Sequence, residues 1–404
     1  MHRRIDKDVV IVSGCRIAQT KFTGDLKVVR ADELATLVMK EAIKRAGISP
    51  DQINEVIFGQ VFQTTEALNI ARFAAFGAEI PVEVPASTIH LQCTSSLEAI
   101  CLGAKAILMD EAEVVLAGGV ENMSRMPFIS YNHRYGARIG DSTLTDTFVE
   151  GGYSCSSYYF GRFNMGNTAE NLVREYGFTR QQLDEISLRS HQLAVAAIRE
   201  GRFKEEIVPV VVPQKRGEPL VIDTDQHPRA DTTLESMAKL PPYYEKDGTV
   251  TAASSSGIND GAAAVILMSD QKAKHMGITP FVKILSWAKS AVHPSVMGKG
   301  PISATKKALE KAGMTVGDID LWEINEAFAP VLLAIVKELG LDMARVNVNG
   351  GAIALGHPVG CSGARLMVTL MHEMKRRGAK YGIDTLCAGG GQGVATVVQL
   401  WDEA

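Results

Sequence analysis

Apolar positions along the chain follow two periods that take turns. DVVIVSG (8–14) is a near-continuous apolar run of strand length, ADELATLVMKEAIKRAGI (31–48) spaces its apolar residues for one face of a helix, and EVIFGQV (55–61) returns to the strand pattern. Cys93 then opens SSLEAICLGAKAILMD (95–110), a second helical stretch, before the apolar EVVLAGGVE (113–121). The C-terminal part repeats the order: FVKILSWAKS, ISATKKALEKAGM, DLWEINEAF, the helical ARLMVTLMHEMKRRGA and TLCAGGGQGVATVVQL. Strands alternating with helices predict an α/β layered fold around a central sheet.

The two parts register against each other. Ala46-Gly47 faces Ala312-Gly313 at an offset of 312 − 46 = 266, Cys93 faces Cys361 at 361 − 93 = 268, and Gly118-Gly119 face Gly390-Gly391 at 390 − 118 = 272. Three ordered landmarks with a slowly growing offset predict an internal duplication. Between the halves, from about 123 to 257, periodicity weakens and turn residues accumulate; one good helical stretch, TRQQLDEISLRSHQLAVAAIREG, stands out. The segment is too long for an unstructured loop and is expected to form a small subdomain over a ligand pocket. The expected division is 1–122 plus 258–278 for the first half, 123–257 for the cover and 279–404 for the second half.

At 404 residues and 46% hydrophobic, the chain exceeds one ordinary core, so several domains sharing an interior are expected. The net charge of −4 argues against a polyanion-binding surface, leaving only a local basic pocket. Six cysteines, at 15, 93, 101, 155, 361 and 387, show no CxxC pairs and no disulfide-scaffold density, which fits a reducing compartment without structural metal. With no signal-peptide core, no spanning apolar stretch and no C-terminal address signal, the expectation is a soluble cytoplasmic protein.

Four positions carry candidate chemistry. Cys93 stands at a helix start, where partial positive charge favours a thiolate; an isolated cysteine also suits the role of a small buried hydrophobe. His357 sits among five glycines and a proline in NVNGGAIALGHPVGCSGARL, placed either to take a proton from a thiol or to cap a tight turn. Cys387 precedes a loop with four glycines in five positions, whose N–H groups suit an oxyanion and which lacks the Walker lysine; the thiol is an acid or base near neutrality, or inert. Asn325, with Glu326, follows a strand and begins a helical run, where Asn caps a helix or holds a water or carbonyl oxygen. All four lie at strand-to-helix junctions, where open α/β sheets gather ligands.

With these residues in place, the chain resembles the thiolase family, of the acetyl-CoA acetyltransferase and 3-ketoacyl-CoA thiolase type. The match runs over nearly its whole length: the Cys93 segment, AGGVENMSRMPF, MGNTAEN, GRFKEEIVPV, SMAKL, SGINDGAAAV, NEAFA, the His357 segment and CAGGGQG. The resemblance implies two βαβαβαββ halves in a five-layered α/β/α/β/α core with a loop domain over the active site. It makes Cys93 the acyl-accepting nucleophile, His357 its activator and the base for the CoA thiol, and Cys387 the acid and base at the substrate α-carbon. One oxyanion hole would come from His357 and an Asn325-held water, the other from the amides of Cys93 and Gly389. For coenzyme A, Arg229 and Ser236 match positions at the nucleotide end, Met165 and Ser256 flank the pantetheine arm, and Ala327 and Phe328 lie near the thioester. It implies acyl-CoA and CoA as substrates, no tightly bound cofactor, no nucleic-acid or membrane partner, and a homodimer or homotetramer. Thr94 and Ser96, flanking Ser95, replace the two glycines of the usual Gly-Ser-Gly after the nucleophile, Asn164 replaces a histidine and Gln392 a methionine; these changes bear on acyl preference. A decarboxylating ketoacyl synthase would not need Cys387, and a noncatalytic acyl-CoA carrier would need none of Cys93, His357 and Cys387.

Overall fold

A computed structural model of the chain describes residues 7–154 and 159–402. The first half runs β1 (Val9–Ile17), α1 (Ala31–Ala46), β2 (Glu55–Gly59), α2 (Ile70–Gly77), β3 (Ala86–Ile89), α3 (Ser95–Leu108) and β4 (Val114–Asn122). The segment that follows holds α4 (Met165–Tyr176) and α5 (Arg180–Arg199), after which β5 (Asn259–Ser269) closes the first half. The second half is β6 (Val282–Ala291), α6 (Gly300–Ala312), β7 (Leu321–Ile324), α7 (Ala329–Leu339), the one-turn α8 (Ala352–Leu355), α9 (Ser362–Arg377), β8 (Tyr381–Ala388) and β9 (Gln392–Leu400).

One continuous sheet carries the order β7-β8-β9-β6-β1-β5-β4-β2-β3. The halves meet where Val9–Ile11 of β1 pair antiparallel with Val282–Ile284 of β6. Each half-sheet faces helices on both sides: α1 and α2 cover the outside of the first, α6 the outside of the second, and α3 and α9 pack together between them. That is the five-layered α/β/α/β/α arrangement. Period-two burial builds it: in β4, Val114, Leu116 and Val120 enter the core under α1, while Val115 and Ala117 enter the core shared by α3 and α9. Strands buried on both faces read as continuous apolar runs, which is why they stand out in the sequence.

The duplication is visible in the topology, since β1-β5-β4-β2-β3 corresponds to β6-β9-β8-β7. Two of the three landmarks hold equivalent places: Gly47 and Gly313 both end their helices in the left-handed conformation, at φ 68° and 67°, and Cys93 and Cys361 both precede the paired inner helices. The third does not. Gly118 and Gly119 lie inside β4, whereas Gly390 and Gly391 form the β8–β9 turn at φ 81° and 87°. Among the described residues the second half has no counterpart of β3 beyond a single bridge from Trp322 to Val346. Asn347 turns to φ 45° there, and its side-chain amide takes both backbone groups of Ile324, accepting from the N–H at 2.8 Å and donating to the carbonyl at 2.9 Å. A side chain thus does the work of a strand partner.

The 123–257 segment is less independent than its weak periodicity suggests. It contains α4 as well as the expected α5, its Ile207–Val208 pairs parallel with Arg16–Ile17 of β1, and its apolar side chains enter the cores of both halves: Phe203 and Val210 the first, Leu172 and Leu183 the second. Arg16 is buried between Glu206 (2.7 Å) and Asp225 (2.8 Å), both contributed by this segment. Among the described residues no helix is long and apolar enough to cross a membrane.

Candidate active site

The chain leaving β3 makes a sharp turn before α3. Gln92 takes φ 51°, Thr94 and Ser95 N–H groups bond back to the carbonyls of Leu91 (3.2 Å) and Gln92 (3.0 Å), and the Thr94 hydroxyl donates to Leu91 O at 2.7 Å. The turn leaves Cys93 half-buried while Thr94, Ser95 and Ser96 are buried. Cys15, Cys101, Cys361 and Cys387 are all buried, and Cys155 lies outside the described residues.

The starts of α3 and α9 cross tightly. The Ser96 hydroxyl accepts from Ala364 N–H at 2.9 Å, capping α9 from its twin helix. Glycines on the strands below make room: a Cβ on Gly59 would lie 2.6 Å from Ser96 N, and one on Gly119 would lie 2.2 Å from Gly360 O. The two residues that depart from Gly-Ser-Gly are therefore absorbed by hydrogen bonds, Thr94 within the turn and Ser96 across the crossing. Asn164 is likewise employed, capping α4 by accepting from Asn167 N–H at 3.0 Å.

His357, five residues before α9, is buried against this crossing. Its Nε2 accepts from Asn325 Nδ2 at 3.3 Å, and its Nδ1 lies 2.6 Å from Ser362 Oγ, whose proton is committed to Pro358 O at 2.9 Å. That chain fixes the tautomer: Nδ1 carries the hydrogen and Nε2 the lone pair. Burial, helped by the Arg365 guanidinium, pushes the imidazole down to about 3, so it is a neutral base at pH 7.

Asn325 is held on β8 by its N–H to Thr385 O (3.1 Å), and its buried Oδ1 has no hydrogen-bond partner among the described residues. Two residues beyond Thr385 comes Cys387, close enough to Cys93 for charge on one thiol to oppose ionisation of the other. Burial first and that neighbour second push the Cys387 thiol well above its ordinary range, correcting the expectation of titration near neutrality. Cys387 is held protonated, ready to give a proton. Gly389, buried, begins the turn after β8.

Around this group, Ser256 N–H bonds to Ala327 O at 3.0 Å and Ser255 bridges to Phe328, whose ring meets Tyr244 edge-on at 5.7 Å. Met165, at the first turn of α4, is half-buried against the second-half core. Arg229 and Ser236 lie on an exposed stretch; Arg229 N–H donates to His191 Nδ1 at 3.2 Å beside a shallow cavity of about 180 Å³ that Arg199 and Thr232 also line. The Ser236 hydroxyl is spent on Thr233 O at 2.8 Å in the cap of the short helix Leu234–Ala238. Sequence reasoning missed Ser362, which orients His357, and Asn259, whose Oδ1 accepts from His357 N–H at 3.1 Å. Ser362 belongs to the glycine-rich His357 segment and Asn259 to SGINDGAAAV, but only the fold shows which atoms they meet. No group of three or more His, Cys, Asp or Glu side chains among the described residues is placed to hold a metal.

Comparison with known proteins points to one family. Residues 9–271 match the family model described as thiolase, N-terminal domain, and residues 278–400 that of thiolase, C-terminal domain. Acetyl-CoA acetyltransferase of Cupriavidus necator is 50% identical over 392 residues, covering 97% of this chain and 99% of the relative; that of Pseudomonas aeruginosa is 51% identical over 389 residues, covering 96% and 98%. Among solved structures, the acetyl-CoA acetyltransferase of Bacillus anthracis superposes with a TM-score of 0.95 at 46% identity, covering 98% of this chain and 99% of the other. Human mitochondrial 3-ketoacyl-CoA thiolase in complex with CoA superposes with a TM-score of 0.94 at 40% identity, covering all of both chains. Two family models filling both duplicated halves, and relatives about half identical over nearly the full length, place this chain in the thiolase family.

Proposed function

We propose that the chain catalyses reversible thiolytic cleavage of 3-ketoacyl-CoA and the reverse Claisen condensation of two acyl-CoA molecules, with acetyl-CoA the favoured acyl donor. The observation that carries this reading is a half-exposed Cys93 at the crossing of two helix starts, with a neutral, hydrogen-bond-oriented His357 and a second, protonated thiol gathered at the same place.

In cleavage, His357 Nε2 takes the Cys93 proton and the sulfur attacks the C3 ketone. The new oxyanion at C3 is met by the amides of Cys93 and Gly389. Collapse breaks C2–C3 and leaves the electron pair on C2 as an enolate, whose oxygen is met by the Nε2–H just formed and by a water on Asn325 Oδ1. Cys387 gives its proton to C2 and recovers one from the His357 imidazolium. Acetyl-CoA departs, His357 deprotonates the thiol of incoming CoA, and attack on the acyl-Cys93 releases the shortened acyl-CoA and returns the proton to Cys93. Condensation is the reverse.

The same reading assigns 123–257 as the cover that binds CoA. Met165 and Ser256 flank the pantetheine arm, Ala327 and Phe328 lie near the thioester, and Arg229 and Ser236 meet the nucleotide end. It makes the protein a cytoplasmic homodimer or homotetramer that needs no tightly bound cofactor or metal. The test is incubation with acetyl-CoA followed by peptide mass spectrometry. An acetyl group on Cys93, with CoA-dependent cleavage of acetoacetyl-CoA, is expected; label elsewhere or none at all overturns the reading.

Arg229 gives a second expected outcome. A mildly acidic protein that binds a phosphorylated carrier needs locally placed cations. Arg229→Ala is expected to raise the KM for CoA severalfold with a smaller change in kcat; a change in both parameters of less than about twofold, roughly 0.4 kcal/mol, would mark Arg229 as a solvated surface residue.

A further inference from the structure

The one-turn helix α8 ends just before His357, and its final carbonyls have no partner inside the helix. Side chains from distant segments take them up. Ala354 O is bonded by His227 Nδ1 at 2.9 Å. The Gln19 amide, in the one orientation that satisfies both its ends, donates through Nε2 to Leu355 O (2.8 Å) and Gly356 O (3.0 Å) and accepts through Oε1 from Arg365 Nε (3.2 Å). Three successive carbonyls and the His357 N–H itself, bonded to Asn259, are thus each held by a side chain.

Gln19 is itself clamped. Its N–H donates to Asp225 Oδ1 at 2.8 Å, its carbonyl accepts from Gln226 N–H at 2.9 Å, and Asp225 is locked to Arg16 through two further bonds of 2.8 Å. Gln19 and Arg365 are both buried, so water cannot readily replace a lost bond. Deleting the amide would free two buried carbonyls and one guanidinium N–H at the turn that presents the imidazole.

We propose that Gln19 is a positioning residue for His357: by bridging Arg365 to the carbonyls of Leu355 and Gly356, it sets where the imidazole stands against Cys93 and how far the guanidinium charge stands from the ring. The inference rests on the reading of His357 as the base. The charged and titratable groups on the elements around this turn are Arg365 on α9, which faces Glu323 of β7 at 3.6 Å and Asp384 of β8, Glu121 on β4, which accepts from Gly360 N–H, Glu326 after β7, which accepts from Ile353 N–H, His227 from the cover, Arg16 and Asp225 beside Gln19, and the thiols of Cys93, Cys361 and Cys387. Arg365 is the one whose charge acts on the imidazole, opposing its protonation.

Two variants test this. Gln19→Met keeps the length and removes all three bonds; Gln19→Glu keeps the acceptor for Arg365 but sets a carboxylate oxygen against two carbonyls and adds negative charge near the ring. Both are expected to lower kcat for thiolysis by about tenfold to 10²-fold, the usual effect of a misplacement near 1 Å, while the KM for CoA stays within about twofold. In Gln19→Glu the acid-side fall of kcat is expected to move up by about half a pH unit or more, because a nearby anion favours the imidazolium. Thermal unfolding and His357→Asn are measured alongside. If either folded variant shows only a lower Tm, with parental kcat and parental acid limb, Gln19 is a structural cap and the proposal fails. If His357→Asn also keeps parental turnover, the assignment of His357 as the base fails instead.

Discussion

Cys93→Ser is expected to abolish thiolysis and condensation, with turnover below about 10⁻³ of the parent, a barrier increase of roughly 4 kcal/mol at 1.36 kcal/mol per decade. A serine hydroxyl is far less acidic than a thiol and a harder nucleophile, and a neutral His357 with one lone pair cannot offset both deficits. The fold should be unaffected, because Cys93 is half-buried in a turn held by the backbone and by Thr94 and Ser95. The duplication supplies an internal control. Cys361 occupies the matching place before α9, yet it is buried and its thiol is pushed up to about 12. Cys361→Ser should therefore keep turnover while the acetyl label stays on Cys93. Steady-state rates with acetoacetyl-CoA and CoA, together with far-ultraviolet circular dichroism, check both variants. Residual turnover of Cys93→Ser near the parental rate would remove Cys93 from the chemistry.

That contrast shows what the sequence carries and what it omits. The runs at 8–14, 113–121 and 385–400 are legible because strands buried on both faces need apolar residues everywhere, and Gly47 and Gly313 are legible because a left-handed helix end favours glycine. Cys93 and Cys361 look alike in sequence, since both precede an amphipathic helix. Exposure separates them, and exposure is set by the turn at Gln92 and by the capping of α9 by Ser96 of α3 at Ala364. The registration of Gly118-Gly119 with Gly390-Gly391 misled for a related reason. One pair is glycine because backbone from Gly360 and Ala263 crowds it, the other because a hairpin turn needs positive φ, and sequence spells both demands the same way. The Asn259 and Gln19 contacts to the His357 turn come from segments far away in the chain, so no local spacing announces them, and the Ser362 contact, five residues along, depends on the turn that precedes α9.

Cys387→Ala is expected to split the reaction in two. Transfer of acetyl from acetyl-CoA to Cys93 passes through a tetrahedral intermediate that needs His357 and its oxyanion donors, whereas making or breaking the C2–C3 bond needs a separate group to move the proton at C2. Cys387 is placed for that proton transfer, buried at the end of β8 beside Cys93, with its thiol held protonated by burial and by its neighbour. The variant should therefore still show acetyl on Cys93 by peptide mass spectrometry, while condensation and thiolysis fall by about 10² to 10⁴-fold, the usual contribution of a general acid or base. Cys387→Ser should behave the same way, since a hydroxyl at that site is a still weaker acid. Solvent deuterium exchange into the acetyl methyl, measured in parallel, reports the proton transfer without requiring carbon–carbon bond formation. Exchange should be lost along with condensation. If exchange and condensation both persist at parental rates, Cys387 is an inert core thiol, and the C2 proton must be carried by another group that reaches the same carbon, with the His357 imidazole the first to test.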